Sequence, residues 1–254
     1  MILKRKIYKK LLEWKNECQG KKALLIEGAR RIGKSTICEE FGKNEYESYL
    51  LIDFAKKDKE VEGYFDKYLN DLDTFFMLLQ THFGTKLTER NSLIIFDEVQ
   101  MFPQARAAIK YLVADGRYDY IETGSLISIR ENVKNIVIPS EERNINMYPL
   151  DFEEFAIALE EDLLVEYIKK CFEKREPLER SMHNQAMLLF HQYMLVGGMP
   201  MPVVSFIENK KDFTEADKEK RDILKLYRED IMKIDMRYRS KVLAIYDQIP
   251  GFLS

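Results

Sequence analysis

Ala23-Leu24-Leu25-Ile26-Glu27-Gly28-Ala29-Arg30-Arg31-Ile32-Gly33-Lys34-Ser35-Thr36 decides the fold. The run from Ala23 to Glu27 reads as a short buried strand, and Ser35 to Phe41 reads as a helix. Between them, Gly28 to Ser35 fits the pattern G-x-x-x-x-G-K-[ST] in full. The chemistry of phosphate binding asks for these residue types. Glycines let the backbone curl so that successive N–H groups face an anion. The helix that follows adds the positive end of its dipole. Lys34 has the reach for β- and γ-phosphates, and the Ser35 hydroxyl suits Mg²⁺. The expected nucleotide-binding set is therefore Gly28, Ala29, Arg30, Arg31, Ile32, Gly33, Lys34, Ser35 and Thr36.

Further along, Leu93-Ile94-Ile95-Phe96 is a second buried run, and it ends in Asp97-Glu98. Downstream of a phosphate loop, Asp97 is expected in the Mg²⁺ shell. Glu98 projects differently and is placed to orient or deprotonate a water, which implies hydrolysis rather than transfer to a second substrate. Tyr118 to Glu122 reads as another strand and runs into Thr123-Gly124-Ser125, where a hydroxyl can meet a γ-phosphate or the attacking water; a polar strand cap is the plainer reading. Strands are also expected at Tyr49–Phe54 and Asn144–Tyr148, the latter stopped by Pro149. Helices are expected at 3–18, 65–83 and 105–113. Strands alternating with helices imply a parallel sheet covered on both faces, with ligands at the carboxyl ends of the strands. All three polar clusters fall at such ends.

After Pro149 the strands cease. Asp151–Phe172, Arg180–Leu195 and Lys225–Ile245 read as helices, Gly197-Gly198-Met199-Pro200 as a break, and Asn209–Lys220 as a charged linker or exposed turn. The expected division is a core over 1–150 that includes an N-terminal helix, a helical subdomain over 151–240, and the start of a further domain over 241–254.

The chain has 254 residues, with 40 Lys and Arg against 43 Asp and Glu, a net charge of −3. This near balance gives no global attraction to nucleic acid or membrane. Cys18, Cys38 and Cys171 are widely spaced and suggest neither zinc nor disulfides, so a reducing, cytoplasmic setting is expected. No apolar run approaches the ~20 residues of a membrane span. Lys4, Arg5, Lys6, Lys9, Lys10 and Lys15 make one face of the first helix basic, either as a solvated face or as a contact for a protein or DNA partner.

In its order of motifs the chain resembles the prokaryotic AAA-type P-loop ATPases whose AAA_14 core precedes an uncharacterised domain (DUF4143). The resemblance rests on Ile26–Ser35, Phe96-Asp97-Glu98-Val99-Gln100, Thr123-Gly124-Ser125, Met147-Tyr148-Pro149-Leu150-Asp151-Phe152-Glu153-Glu154-Phe155 and Gly197-Gly198-Met199-Pro200. It implies an α/β P-loop core with an α-helical lid, ATP and Mg²⁺ as ligands, and ATP hydrolysis. It implies Lys34 on phosphate, Ser35 and Asp97 on the metal, Glu98 as base and Ser125 as γ-phosphate sensor. It also implies a homo-oligomer in which an arginine before the last core strand reaches a neighbour's γ-phosphate. Arg143 holds that place, preceded by Glu142 where the family usually has Gly. Relatives continue past the Ile249-Pro250 region, so most of a C-terminal domain is expected to be missing.

Asn209-Lys210-Lys211-Asp212 matches the guanine-reading N-K-x-D pattern, but Asp97-Glu98-Val99-Gln100 is not the Asp-x-x-Gly a GTPase would carry. His82, His183 and His191 show no metal spacing. The rival to a hydrolase is a non-hydrolysing switch or scaffold that holds ATP and presents a surface to a protein or nucleic-acid partner.

Overall fold

Five short runs form the strands of one parallel sheet in the computed structural model, which describes residues 1–125, 140–232 and 234–252; the first three are largely aliphatic and aromatic, and the last, Glu142–Asn146, is mostly polar. The chain divides into two units, Leu3–Pro149 and Leu150–Ser254 with Met1–Ile2. In the first unit the elements are α1 (Ile7–Cys18), β1 (Ala23–Glu27), α2 (Lys34–Glu45), β2 (Ser48–Asp53), α3 (Lys59–Tyr68), α4 (Leu72–Phe83), β3 (Ser92–Asp97), α5 (Pro103–Asp115), β4 (Asp119–Gly124) and β5 (Glu142–Asn146). The strand order is β2-β3-β4-β1-β5. Every residue of β3 and β4 is buried, as expected of central strands covered on both faces. Alternate residues Ala23, Leu25, Ile94, Phe96 and Tyr120 join the core beneath α3, α4 and α5, where Phe65 meets Phe54, Phe75 and Phe102 edge to face and Phe54 stacks on Phe102. On α1 and α2, Leu11, Trp14 and Phe41 are fully buried, and the Trp14 indole N–H donates to the Lys22 carbonyl (2.9 Å).

Several boundaries differ from the sequence reading for local reasons. The single helix expected over 65–83 is two, because the Asp71 carboxylate accepts from the Thr74 amide (3.2 Å) and starts a new N-terminus. The last strand lies at Glu142–Asn146 rather than 144–148, since its ladder to β1 runs from Ala23↔Glu142 to Glu27↔Asn146.

The second unit is helical: α6 (Phe152–Ala158), α7 (Asp162–Lys174), α8 (Arg180–Val196), α9 (Pro200–Glu208), α10 (Phe213–Ile231) and α11 (Met236–Phe252). Asp151 and Glu154 form a reciprocal capping box at the start of α6. The stretch expected to be one helix over 151–172 breaks at Glu160, whose φ is 64°. The charged linker expected over 209–220 is instead a tight turn and the start of α10, capped by Asp212, which accepts from the Thr214 amide (2.7 Å). That turn is where the N-K-x-D match falls, so Asp212 has a structural job there. The helix expected over 225–245 is the end of α10 and most of α11. Gly198 is needed for close packing, because a Cβ would overlap the Leu150 carbonyl oxygen; the Leu150 amide donates back to the Gly198 carbonyl (2.7 Å). Among the described residues, no helix is long and apolar enough to cross a membrane.

Beneath α5 lies a buried ionic cluster. Arg106 makes a two-pronged bond to Glu142 (2.9 and 3.1 Å), and the Glu122 carboxyl is wholly buried nearby. Glu142 is thereby an internal partner of α5. Among the described residues, neither Glu122 oxygen makes a hydrogen bond of normal geometry. Burial, then the Glu142 charge, pushes the Glu122 carboxyl well above the usual carboxylate range. The folded state therefore holds a proton here that the unfolded chain releases, and stability falls as pH rises above the ordinary glutamate range. Glu122→Gln keeps the shape and removes the charge. Its thermal midpoint is expected to exceed that of the parent by about 2–4 °C near pH 8 and to match it near pH 5. Thermal unfolding across that range checks this, and an equal gain at both ends would deny the titration.

Candidate functional site

β1 delivers the chain to Gly28 and α2 carries it away from Gly33, so the phosphate-loop motif is a turn at the carboxyl edge of the sheet. Gly28 is required because a Cβ there would overlap the Met147 carbonyl oxygen. Arg31 and Gly33 adopt left-handed backbone (φ 66° and 91°), which produces the curl. Gly33 is the N-cap of α2 and supplies no side-chain acceptor, so the first-turn amides keep their anion-binding direction. Lys34 is 5% exposed, and its ammonium donates to the carbonyls of Gly28 (3.1 Å) and Ala29 (2.9 Å). Burial lowers its pKa from the ordinary lysine value, an effect the Glu98 and Asp97 carboxylates partly offset.

The strand order explains how distant residues meet. β4 lies between β1 and β3, with Ile26 opposite Thr123 and Phe96 opposite Glu122. Thr123 therefore stands level with Asp97, one strand away. The Asp97 carboxylate accepts from the Ser35 hydroxyl at 2.7 and 2.8 Å and from the Thr123 hydroxyl. Thr123 in turn accepts from the Glu98 amide (3.2 Å). Glu98 leaves the strand in a left-handed conformation (φ 53°), a strained state that costs about 1 kcal/mol or more and turns its side chain out of the ladder. The Gln100 amide donates to the Glu98 carboxylate.

Hence the structure brings Lys34, Ser35, Asp97 and Glu98 together. Ser125 follows the end of β4 and is buried. Thr36 lies in the first turn of α2 and is exposed, as are Ala29 and Arg31. Arg143 is not brought to this loop. It pairs with Leu24, early in β1, and its guanidinium bonds to Glu17 (2.7 Å). The sequence reading missed the grip of Thr123 on Asp97 and that of Gln100 on Glu98; strand parity could have flagged Thr123 only if the pairing register were known. The basic face of α1 is partly used internally, for Lys15 donates to the Glu45 carbonyl and lies over the Tyr46 ring.

A hydroxyl and a carboxylate side by side are hard oxygen donors that fit Mg²⁺, which commonly takes one or two protein ligands and fills its shell with phosphate oxygens and water. Among the described residues, there is no group of three or more His, Cys, Asp or Glu that could hold a metal ion.

A family model described as "AAA domain" matches residues 20–156, which is more than half of the 254-residue chain. Among solved structures, the chain is similar to C. elegans PCH-2 at 13% identity and a TM-score of 0.40, over 85% of this chain and 65% of that one. It is similar to domain III of the Thermotoga maritima replication initiation protein DnaA at 14% identity and a TM-score of 0.42, over 85% and 90%. It is also similar to a signal transduction ATPase with numerous domains from Pyrococcus horikoshii that has a tetratricopeptide repeat sensor, at 17% identity and a TM-score of 0.43, over 89% and 34%. The chain thus spans just under two thirds of the PCH-2 chain and about one third of the Pyrococcus one. No curated protein matches it in sequence.

Proposed function

Because the chain belongs to the AAA domain family, we propose that it binds ATP with Mg²⁺ at Gly28–Thr36 and hydrolyses it, the nucleotide state driving a conformational change of the helical lid or an attached effector. The observation that carries the reading is the Asp97 carboxylate, gripped by hydroxyls from both the start of α2 and the end of β4. That grip gathers the phosphate loop, the acidic pair and the β4 terminus at one spot.

The loop amides and the α2 N-terminus bind the phosphates, and the Lys34 ammonium exchanges its loop carbonyls for β- and γ-oxygens. Ser35 and Asp97 would hold Mg²⁺, which when bound neutralises charge on the phosphate oxygens. Glu98 takes a proton from the water whose oxygen attacks the γ-phosphorus. The bond to the bridging oxygen breaks, and ADP leaves with that electron pair. Ser125 senses the γ-phosphate from the end of β4. Arg143 reaches the site of a neighbouring copy in a homo-oligomer. Its bond to Glu17 is a surface ion pair, worth ~0–1 kcal/mol and cheap to exchange. On the Met147–Phe155 and Gly197–Pro200 segments, we place the chain with the ATPases that carry a DUF4143 domain. A cytoplasmic setting supplies ATP and Mg²⁺.

Single-turnover hydrolysis measured over a range of protein concentrations tests this. A rate that climbs with concentration supports an arginine supplied in trans. A rate at background throughout would replace the hydrolase with an ATP-holding switch for a protein or nucleic-acid partner.

A further inference from the structure

Arg5 lies just before α1, between the buried side chains of Leu3 and Ile7, so its backbone is fixed by packing on both sides. Its guanidinium is forked across two carbonyls. One arm donates to Ile32 of the phosphate loop (3.0 Å), and the other to Tyr148 (2.6 Å), 143 positions away in sequence. The Tyr148 end is itself anchored, since the Met147 amide donates to the Glu27 carbonyl (2.8 Å) and extends the β1–β5 ladder. The Met147 carbonyl oxygen and the Ile32 side chain both lie where a Cβ on Gly28 would stand. Both ends of the loop therefore rest on the segment that follows β5.

We propose that Arg5 is a positioning residue for phosphate binding: by holding the Ile32 carbonyl, it sets the direction of the Gly33 N–H that faces the anion. The inference rests on the ATP-binding reading above. The Ile32–Gly33 peptide is planar and trans, so its C=O and N–H point in opposite directions. A carbonyl drawn toward Arg5 turns the Gly33 amide away from Arg5. Gly33 has left-handed backbone and no Cβ. Its own carbonyl accepts from the Ile37 amide (3.0 Å), which fixes the next peptide, Gly33–Lys34, and leaves the Ile32–Gly33 plane to be set from the Ile32 side. A charged, forked donor anchored on a strand extension supplies the restraint. Lysine cannot replace it fully, because an ammonium is a point charge and the two carbonyls call for two diverging N–H arms.

Such an effect acts on nucleotide affinity and leaves the bond-breaking step alone. Arg5→Ala is expected to raise KM for ATP about tenfold while kcat stays within about twofold, the size of one charge-assisted hydrogen bond lost at the site. Arg5→Lys should recover part of the loss. Millimolar methylguanidinium should restore KM in Arg5→Ala and leave the parent protein unchanged. Thermal unfolding accompanies each variant; if Arg5→Ala fails to fold, the Arg5→Lys KM carries the test. A parental KM in both variants, while Lys34→Ala has lost ATP binding, would overturn the role of Arg5 and leave the ATP reading standing. A raised KM that methylguanidinium does not restore makes Arg5 a purely structural residue, which also overturns the proposal. If Lys34→Ala keeps its affinity for ATP, the ATP reading itself fails and this inference falls with it.

Discussion

Glu98→Gln is expected to bind ATP as the parent does and to hydrolyse it at least about a hundredfold more slowly, the usual contribution of a general base. The two adjacent carboxylates are in different circumstances. Asp97 ends the strand, is buried, and accepts hydroxyl hydrogens from Ser35 and Thr123. A carboxylate so engaged is suited to sit still beside a cation. Glu98 is turned out of the ladder by its left-handed backbone and is held by the side-chain amide of Gln100. Glutamine at 98 keeps the length, the backbone demand and an oxygen for the Gln100 amide to donate to. It loses the negative charge that accepts a proton from water. Fluorescent-nucleotide titration should therefore give an affinity within about threefold of the parent, while phosphate release collapses. A turnover reduced by less than about threefold would remove Glu98 from the chemistry.

Much of this site was legible in the sequence because phosphate binding imposes residue types at fixed spacing. The stretch from Ala23 to Ser35 fixes a strand, a curl and a helix start without help from the rest of the chain. The order of strands is different in kind. That β4 lies between β1 and β3 depends on how the helical crossovers pack, and no local pattern encodes it. The partners of Asp97 followed only once that order was known. Helix breaks at Asp71 and Glu160 escaped because neither carries Gly or Pro; a side-chain cap makes one and a left-handed residue the other. The start of α10 read as a linker because its charges hide the period. Asp212 and pairs such as Asp217 with Arg221 (2.7 Å) hold it as helix. Arg5 reads in the sequence as part of a basic helix face, and Glu142 as a departure from the family's usual Gly. Their partners, a loop carbonyl and a buried arginine, lie far off in sequence.

Lys34→Ala is the second large effect, and it falls on binding. The ammonium is buried, and in the free protein it is held by the Gly28 and Ala29 carbonyls at 3.1 and 2.9 Å. Those carbonyls are neutral dipoles, so a triphosphate tail is a far better partner for a desolvated cation. Removing the cation should weaken ATP binding about a hundredfold or more, an effect seen in equilibrium titration before any turnover. Folding should survive, because the lost group is one whose burial already disfavours its charge. The same displacement gives a pH signature. The protonated lysine binds the anion, and its pKa in the free protein lies below the ordinary lysine value. Parental affinity should therefore decline on the alkaline side, earlier than a solvent-exposed lysine would cause, as pH rises through that lowered pKa. In Lys34→Ala the affinity is weak throughout, and that alkaline decline is absent. Binding within about threefold of the parent, or an alkaline decline that persists without the lysine, would show that the ammonium does not meet the phosphates.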